Sequence, residues 1–209
     1  MPLLHHYRNF LLLFWSSWLT MAQATEMGSE VTLWVESGQA VATSPLSGRR
    51  EIPLGTQEMV ISSGTNGITG IVVTSRRLLG FSSRALTWTK KELDVNETVL
   101  ERKLFPSFSF IRTDRHLYGF RGVNGLWLED TLGVREKVRR VYGNDYGAVF
   151  ITTERLVGFT SLLGGFASKP LDVHEQILGV EDDDGLILVS TTRRTLVLGA
   201  RLSGWEEFE

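Results

Sequence analysis

The amino-acid sequence predicts an all-β fold assembled from copies of one four-stranded unit, and three observations carry that expectation. Glu58, Glu97, Glu136 and Glu175 recur at an interval of 39 residues, and Leu54, Leu93, Leu132 and Leu171 keep the same step, as do Thr74, Thr113, Thr152 and Thr191. An aromatic recurs with them at Trp88, Trp127, Phe166 and Trp205. Between these markers lie short runs rich in Val, Ile, Thr and aromatic residues, bounded by turn-forming clusters and lacking a helical period, which is the pattern of strands.

At the amino end, His5, His6 and Arg8 precede an apolar run from Phe10 through Trp15 toward Met21, and Ala22-Gln23-Ala24 has a small-x-small form. Residues 1–24 therefore have the layout of an export signal cut after Ala24, which places the mature protein in the periplasm or outside the cell. A start at Met21 is the alternative and would leave the protein cytoplasmic. The apolar run is short for a span, which takes about 20 residues, so no membrane span is expected in the mature chain.

The units fall at approximately 25–58, 59–97, 98–136, 137–175 and 176–209, the first a degenerate copy with Val35, Val41 and Leu54 in register. In each, a first strand starts after the repeated glutamate, as in Thr98 to Leu104 or Lys137 to Tyr142. The second strand is almost continuously apolar, as in Ile71-Val72-Val73, Ala148 to Ile151 and Leu186 to Val189, which suits burial on both faces. The third follows a tight turn and carries Gly80, Gly119 or Gly158 before Phe81, Phe120 or Phe159. Glycine inside a strand predicts a bulge or the close approach of another backbone. The fourth strand holds the repeated aromatic, which is expected to pack between neighbouring units. Turns are expected at Gly64 to Gly67, Gly143-Asn144-Asp145, Gly164-Gly165 and Asp182 to Gly185.

Four strands in about 39 residues is the size of a propeller blade. On this repeat the chain resembles the repeat β-propellers, like the five-bladed lectin propellers in blade number and the NHL-type propellers in blade texture. The resemblance is one of architecture, covers the chain after residue 24, and includes no WD set, kelch diglycine or lectin motif, so it transfers no functional residues. It implies a five-bladed β-propeller, a monomeric ring in which each sheet covers its neighbour. The carboxyl-terminal strand near Trp205 to Phe208 is expected to lie beside the amino-terminal strand near Val31 to Val35 and close the ring.

A formal charge of -2 offers no nucleic-acid footprint, and the absence of cysteine excludes disulfides and thiol chemistry. His116 and His174 are too few for a histidine metal cluster, and no cofactor is expected. The turn between second and third strands is basic, with Arg76 and Arg77, Arg115 and His116, Arg155, and Arg193 and Arg194. In an up-and-down sheet alternate turns share an end, so these cations face the glutamates. Ion pairs that fix register are the main expectation, and an anionic ligand or acidic partner is the other. The repeated threonine is expected to bond its own hairpin backbone.

At the opposite end, Leu162 and Leu163 form a contact patch if exposed and core if tucked in. Asp182-Asp183-Asp184-Gly185 is expected to be a solvated turn rather than a calcium loop, and Asn96-Glu97-Thr98 matches a glycosylation sequon. No nucleophile, metal or phosphate-loop motif supports an enzyme. The function expected is a non-catalytic binding or scaffold module that engages a protein or envelope component through one face, using loops that vary between copies. A lectin-like propeller is the alternative, although its polar ligand residues would have to repeat, and here the repeating residues are apolar or turn-forming.

Overall fold

A computed structural model describes residues 29–183, 185–199, 202 and 204–208, so the expected leader lies outside the described residues. The first sheet is β1 (Thr32–Glu36), β2 (Gln39–Ser44) and β3 (Gly48–Pro53). The second is β4 (Val60–Asn66), β5 (Thr69–Thr74), β6 (Arg77–Ser82) and β7 (Thr87–Glu92). The third is β8 (Val99–Leu104), β9 (Phe108–Thr113), β10 (His116–Arg121) and β11 (Leu126–Thr131). The fourth is β12 (Val138–Gly143), β13 (Gly147–Thr152), β14 (Arg155–Thr160) and β15 (Ala167–Pro170). The fifth is β16 (Ile177–Asp183), β17 (Leu186–Thr191), β18 (Thr195–Gly199) and β19 (Trp205–Phe208).

Every sheet is an antiparallel meander whose strands pair in chain order. The first sheet has three strands where four were expected; in the second to fourth sheets the two middle strands are buried and the outer two half-exposed, which explains the apolar runs in their second and third strands. Each sheet packs on the next: Ile71 and Leu78 meet Ile111 and Phe120, Phe110 and Leu117 meet Phe150 and Phe159, and Val149 and Leu156 meet Val189 and Leu198. Repeated meanders covering one another in this way are the architecture of β-propeller blades. Among the described residues β1 pairs only with β2 and β19 only with β18, so the ladders do not join the two ends.

The repeated glycine has a different cause from the one expected. A Cβ on Gly80 would lie 2.4 Å from the Phe120 ring, and one on Gly119 would lie 2.3 Å from Phe159. On Gly158 it would lie 2.8 Å from Leu198. The third strand omits a side chain so that the next sheet's ring can enter; a ring, not a backbone, makes the close approach. The bulges sit elsewhere, where the first strand leaves Ile61, Leu100, Arg139 and Leu178 unpaired. In the degenerate copy the count from Val41 is one residue off. Ala42 faces Arg50 as Gly80 faces Thr89, because the β2–β3 connection is one residue shorter, and Ala42 packs on Phe81.

The fourth-strand aromatics lock the same sheets from the outer edge. Trp88 Nε1 donates to the Arg50 carbonyl at 3.1 Å and Trp205 Nε1 to Ala167 at 2.9 Å, each 38 residues back in the preceding sheet. Phe166 lacks a donor and keeps only the ring contact within its own sheet, with its centroid 4.9 Å from that of Phe159, as Trp127 packs on Phe120. Gly119→Ala is expected to destabilise the protein by ~1–3 kcal/mol through overpacking against Phe159. Adding Phe159→Leu should recover part of that loss, because the nearest atoms to the new methyl group belong to the Phe159 ring that leucine removes. Urea denaturation of the two single variants and the double variant checks this, with a double-variant loss smaller than the sum of the singles.

Candidate functional site

The chain passes from one sheet to the next through turns at residues 55–58, 94–97, 133–136 and 172–175. In each, the glutamate amide donates to the carbonyl three residues back at 2.8–3.1 Å. The amide of that earlier residue, Gly55, Asp94, Gly133 or Asp172, donates to the glutamate Oε2 at 2.6–3.0 Å. The side chain thus closes its own turn reciprocally, as a helix capping box does.

The same carboxylate reaches into the next hairpin. Its Oε1 accepts from Thr74, Thr113 and Thr191 Oγ1 at 2.6–2.8 Å in three copies. All four hydroxyls, Thr152 included, also lie 2.8–3.1 Å from the carbonyl three residues on. Each threonine also accepts the amides two and three residues on, which fixes the tight turn as the sequence suggests. Arg77, Arg155 and Arg194 bring their guanidinium forks onto Glu58, Glu136 and Glu175, Nε donating to Oε1 at 2.8–2.9 Å. Their Nη2 groups continue to the carbonyls of Pro53, Thr131 and Pro170, the last residues of the preceding sheets or adjoining them. One buried carboxylate clasps the turn, the hairpin that follows and the sheet before it.

Burial pushes the Glu58 carboxyl up, but the Arg77 fork, the Thr74 hydroxyl and the Gly55 amide outweigh it and hold the group at about 2. Glu175 is also held at about 2, first by Arg194 and then, against the cost of burial, by the Asp172 amide and Thr191. Glu136 lies below its ordinary value through Arg155, the Gly133 amide and Thr152, which together overcome desolvation. These three arginines are occupied by the clasp. Arg193 pairs with the exposed Asp172, while Arg76 and Arg115 are exposed with no side-chain partner among the described residues.

The third copy differs. His116 stands where the others have arginine, with Nδ1 2.8 Å from Glu97 Oε1, and the Tyr118 hydroxyl lies 3.1 Å from both Glu97 oxygens. Asp94, Glu97 and His116 bring one ligand atom each to within 4.8 Å of one another.

The same end carries residues that the sequence reading passed over. Val95, Val134 and Val173 sit on the turn tips with relative exposures of 82%, 106% and 94%. Their signal was an apolar residue every 39 positions, two before the glutamate, where turn chemistry favours polar side chains. Met59 and the bulged Ile61, Leu100 and Leu178 add exposed apolar surface beside them. A cleft of about 720 Å³ opens between the fourth and fifth sheets on this end, bordered by Arg139, Arg140, Glu154, Asp172 and Val173. At the opposite end, Leu162 is exposed, its loop held by Arg121 bonds to the Ser161 and Leu162 carbonyls. Leu163 is buried in the core between the fourth and fifth sheets, so the patch expected from this pair reduces to Leu162.

No family model matches the chain, and no curated protein does. Among solved structures it is similar to BamB from Moraxella catarrhalis, at 14% identity over 88% of this chain and 62% of that one, TM-score 0.37. Human WBSCR16 gives 10% identity, 87% and 66% coverage and a TM-score of 0.41. A structure of Kap60 bound to yeast RCC1 (Prp20) gives 8% identity, 82% and 54% coverage and a TM-score of 0.42. The chain spans about half to two thirds of the length of these structures.

The clasp sets a pH dependence. An unfolded glutamate binds its proton near 4.5, whereas Glu58 and Glu175 stay ionised in the fold down to about 2. Their stabilisation is complete above about 4.5 and is lost as pH falls through about 2. Urea midpoints measured from neutral pH to 2.5 should fall steeply below 4.5. Glu175→Gln should lower stability at neutral pH by roughly 1.5–3 kcal/mol, the worth of hydrogen bonds to a charged group, since Arg194 keeps Glu207, and should flatten the acid limb.

Proposed function

We propose that this chain is a non-catalytic binding module that engages a protein or cell-envelope partner through the end bearing the glutamate turns. Val95, Val134 and Val173 carry that proposal. Three nearly fully exposed apolar tips at a constant spacing have no packing role, and grouped exposed apolar surface marks contact sites. Arg76 and Arg115 lie on the same end and suit a partner that presents carboxylates beside apolar groups. The lectin-like alternative gains nothing here, since the residue repeated on the tips is valine rather than a polar ligand.

The module we propose is a five-bladed ring formed after an export signal at residues 1–24 is removed. Closure would bring the outer face of the fifth sheet, where Leu186 and Phe208 are exposed, onto the face of the first sheet that carries Trp34 and Arg49. Among the described residues no helix is long and apolar enough to cross a membrane.

The test is capture from a cell-envelope fraction by the full chain, compared with a variant in which Val95, Val134 and Val173 are all serine. A partner held by the parent and released by the variant, with equal thermal stability, is the expected result. A partner held equally by both, or a measurable turnover with no partner, contradicts the proposal.

A further inference from the structure

The Glu97 clasp lacks the arginine of its three sister copies. In the other three copies a buried glutamate meets a guanidinium that also reaches a carbonyl of the preceding sheet, Pro53, Thr131 or Pro170. The 39-residue step puts Glu92 at the matching place in the third copy. No side chain among the described residues donates to its carbonyl. His116 is too short to fill the volume of an arginine. Asp94 stands where two copies have Gly55 and Gly133 and the last has Asp172, but Asp172 pairs with Arg193, whereas the Asp94 carboxylate has no hydrogen-bond or ion-pair partner among the described residues. Glu97, whose side chain is fully buried, therefore faces a second carboxylate across the position that holds a cation in its sister copies.

The atoms present are a ligand set. Two carboxylates and one imidazole converge within 4.8 Å, and such donors hold zinc and other first-row divalent ions at roughly 2.0–2.2 Å. Thr113 and Tyr118 hydroxyls bond Glu97 from behind and fix its orientation, the supporting shell that a metal carboxylate needs. A dication would also neutralise both acids in this copy, where His116 stands in place of the clasp arginine. We propose that Asp94, Glu97 and His116 bind a divalent transition-metal ion of the zinc class, in the place where the other repeats insert a guanidinium.

The repeat supplies its own controls. His116→Arg restores the sister clasp and Asp94→Gly restores the residue of two other copies, so both variants should fold. The probe is zinc chloride alone, titrated calorimetrically into the chelator-treated full chain, with thermal unfolding in parallel. The parent should bind zinc with a rise in unfolding temperature. His116→Arg should lose one equivalent of zinc and the rise with it, and Asp94→Gly should weaken binding at least tenfold. Absence of binding by the parent, or an unchanged stoichiometry and affinity in His116→Arg, overturns the proposal.

Discussion

A carboxylate buried at each crossing between sheets is the constraint on which the rest of this structure depends. The turns themselves lie at the surface, but Glu58, Glu97, Glu136 and Glu175 fold back under them to accept the first amide of each turn, which buries the carboxylates. The negative charge thus placed inside needs compensation, and the arginine that opens the third strand provides it in three copies. Because that arginine also reaches back to the preceding sheet, a single ionic contact sets where one sheet ends and how the next is placed. Buried pairs gain little net stability over apolar packing but are costly to break, which suits an element whose role is to hold register.

The interior repeats this logic with shape. Each third strand omits a side chain at Gly80, Gly119 or Gly158 and receives a ring or leucine from the sheet that follows. The indoles of Trp88 and Trp205 close the outer edge. Clasp, ring socket and indole lie at three points along the same pair of sheets, so slippage by one residue would break all three together. Where the clasp chemistry changes, at His116, the sockets at Gly80 and Gly119 are intact, so the third copy can carry a different chemistry without losing its place in the stack.

Much of this was legible in the sequence. The period placed the strands, and the alternation of turns put arginines and glutamates at one end, because both follow from connectivity alone. Other features depend on depth and spacing that a repeat count does not contain. Val41 and Ala42 are both small and apolar, so the one-residue shortening of the β2–β3 connection left no mark. Leu162 and Leu163 are chemically identical, and only the position of the loop separates the exposed one from the buried one. The glycines signalled a close approach, but not that a phenylalanine ring makes it. The exposed valines repeat as strictly as the core does, and repetition alone reads as packing.

The most direct test of the central claim is a double-mutant cycle on Glu58 and Arg77, the clasp in which the arginine side chain, among the described residues, bonds only the glutamate and one carbonyl. Glu58→Gln, Arg77→Met and their combination would be compared by urea denaturation at neutral pH. A coupling energy above about 1 kcal/mol, with the double variant more stable than the sum of the single losses, is what the clasp requires. Losses that add to within about 0.5 kcal/mol would show that the two side chains act separately and would contradict the account.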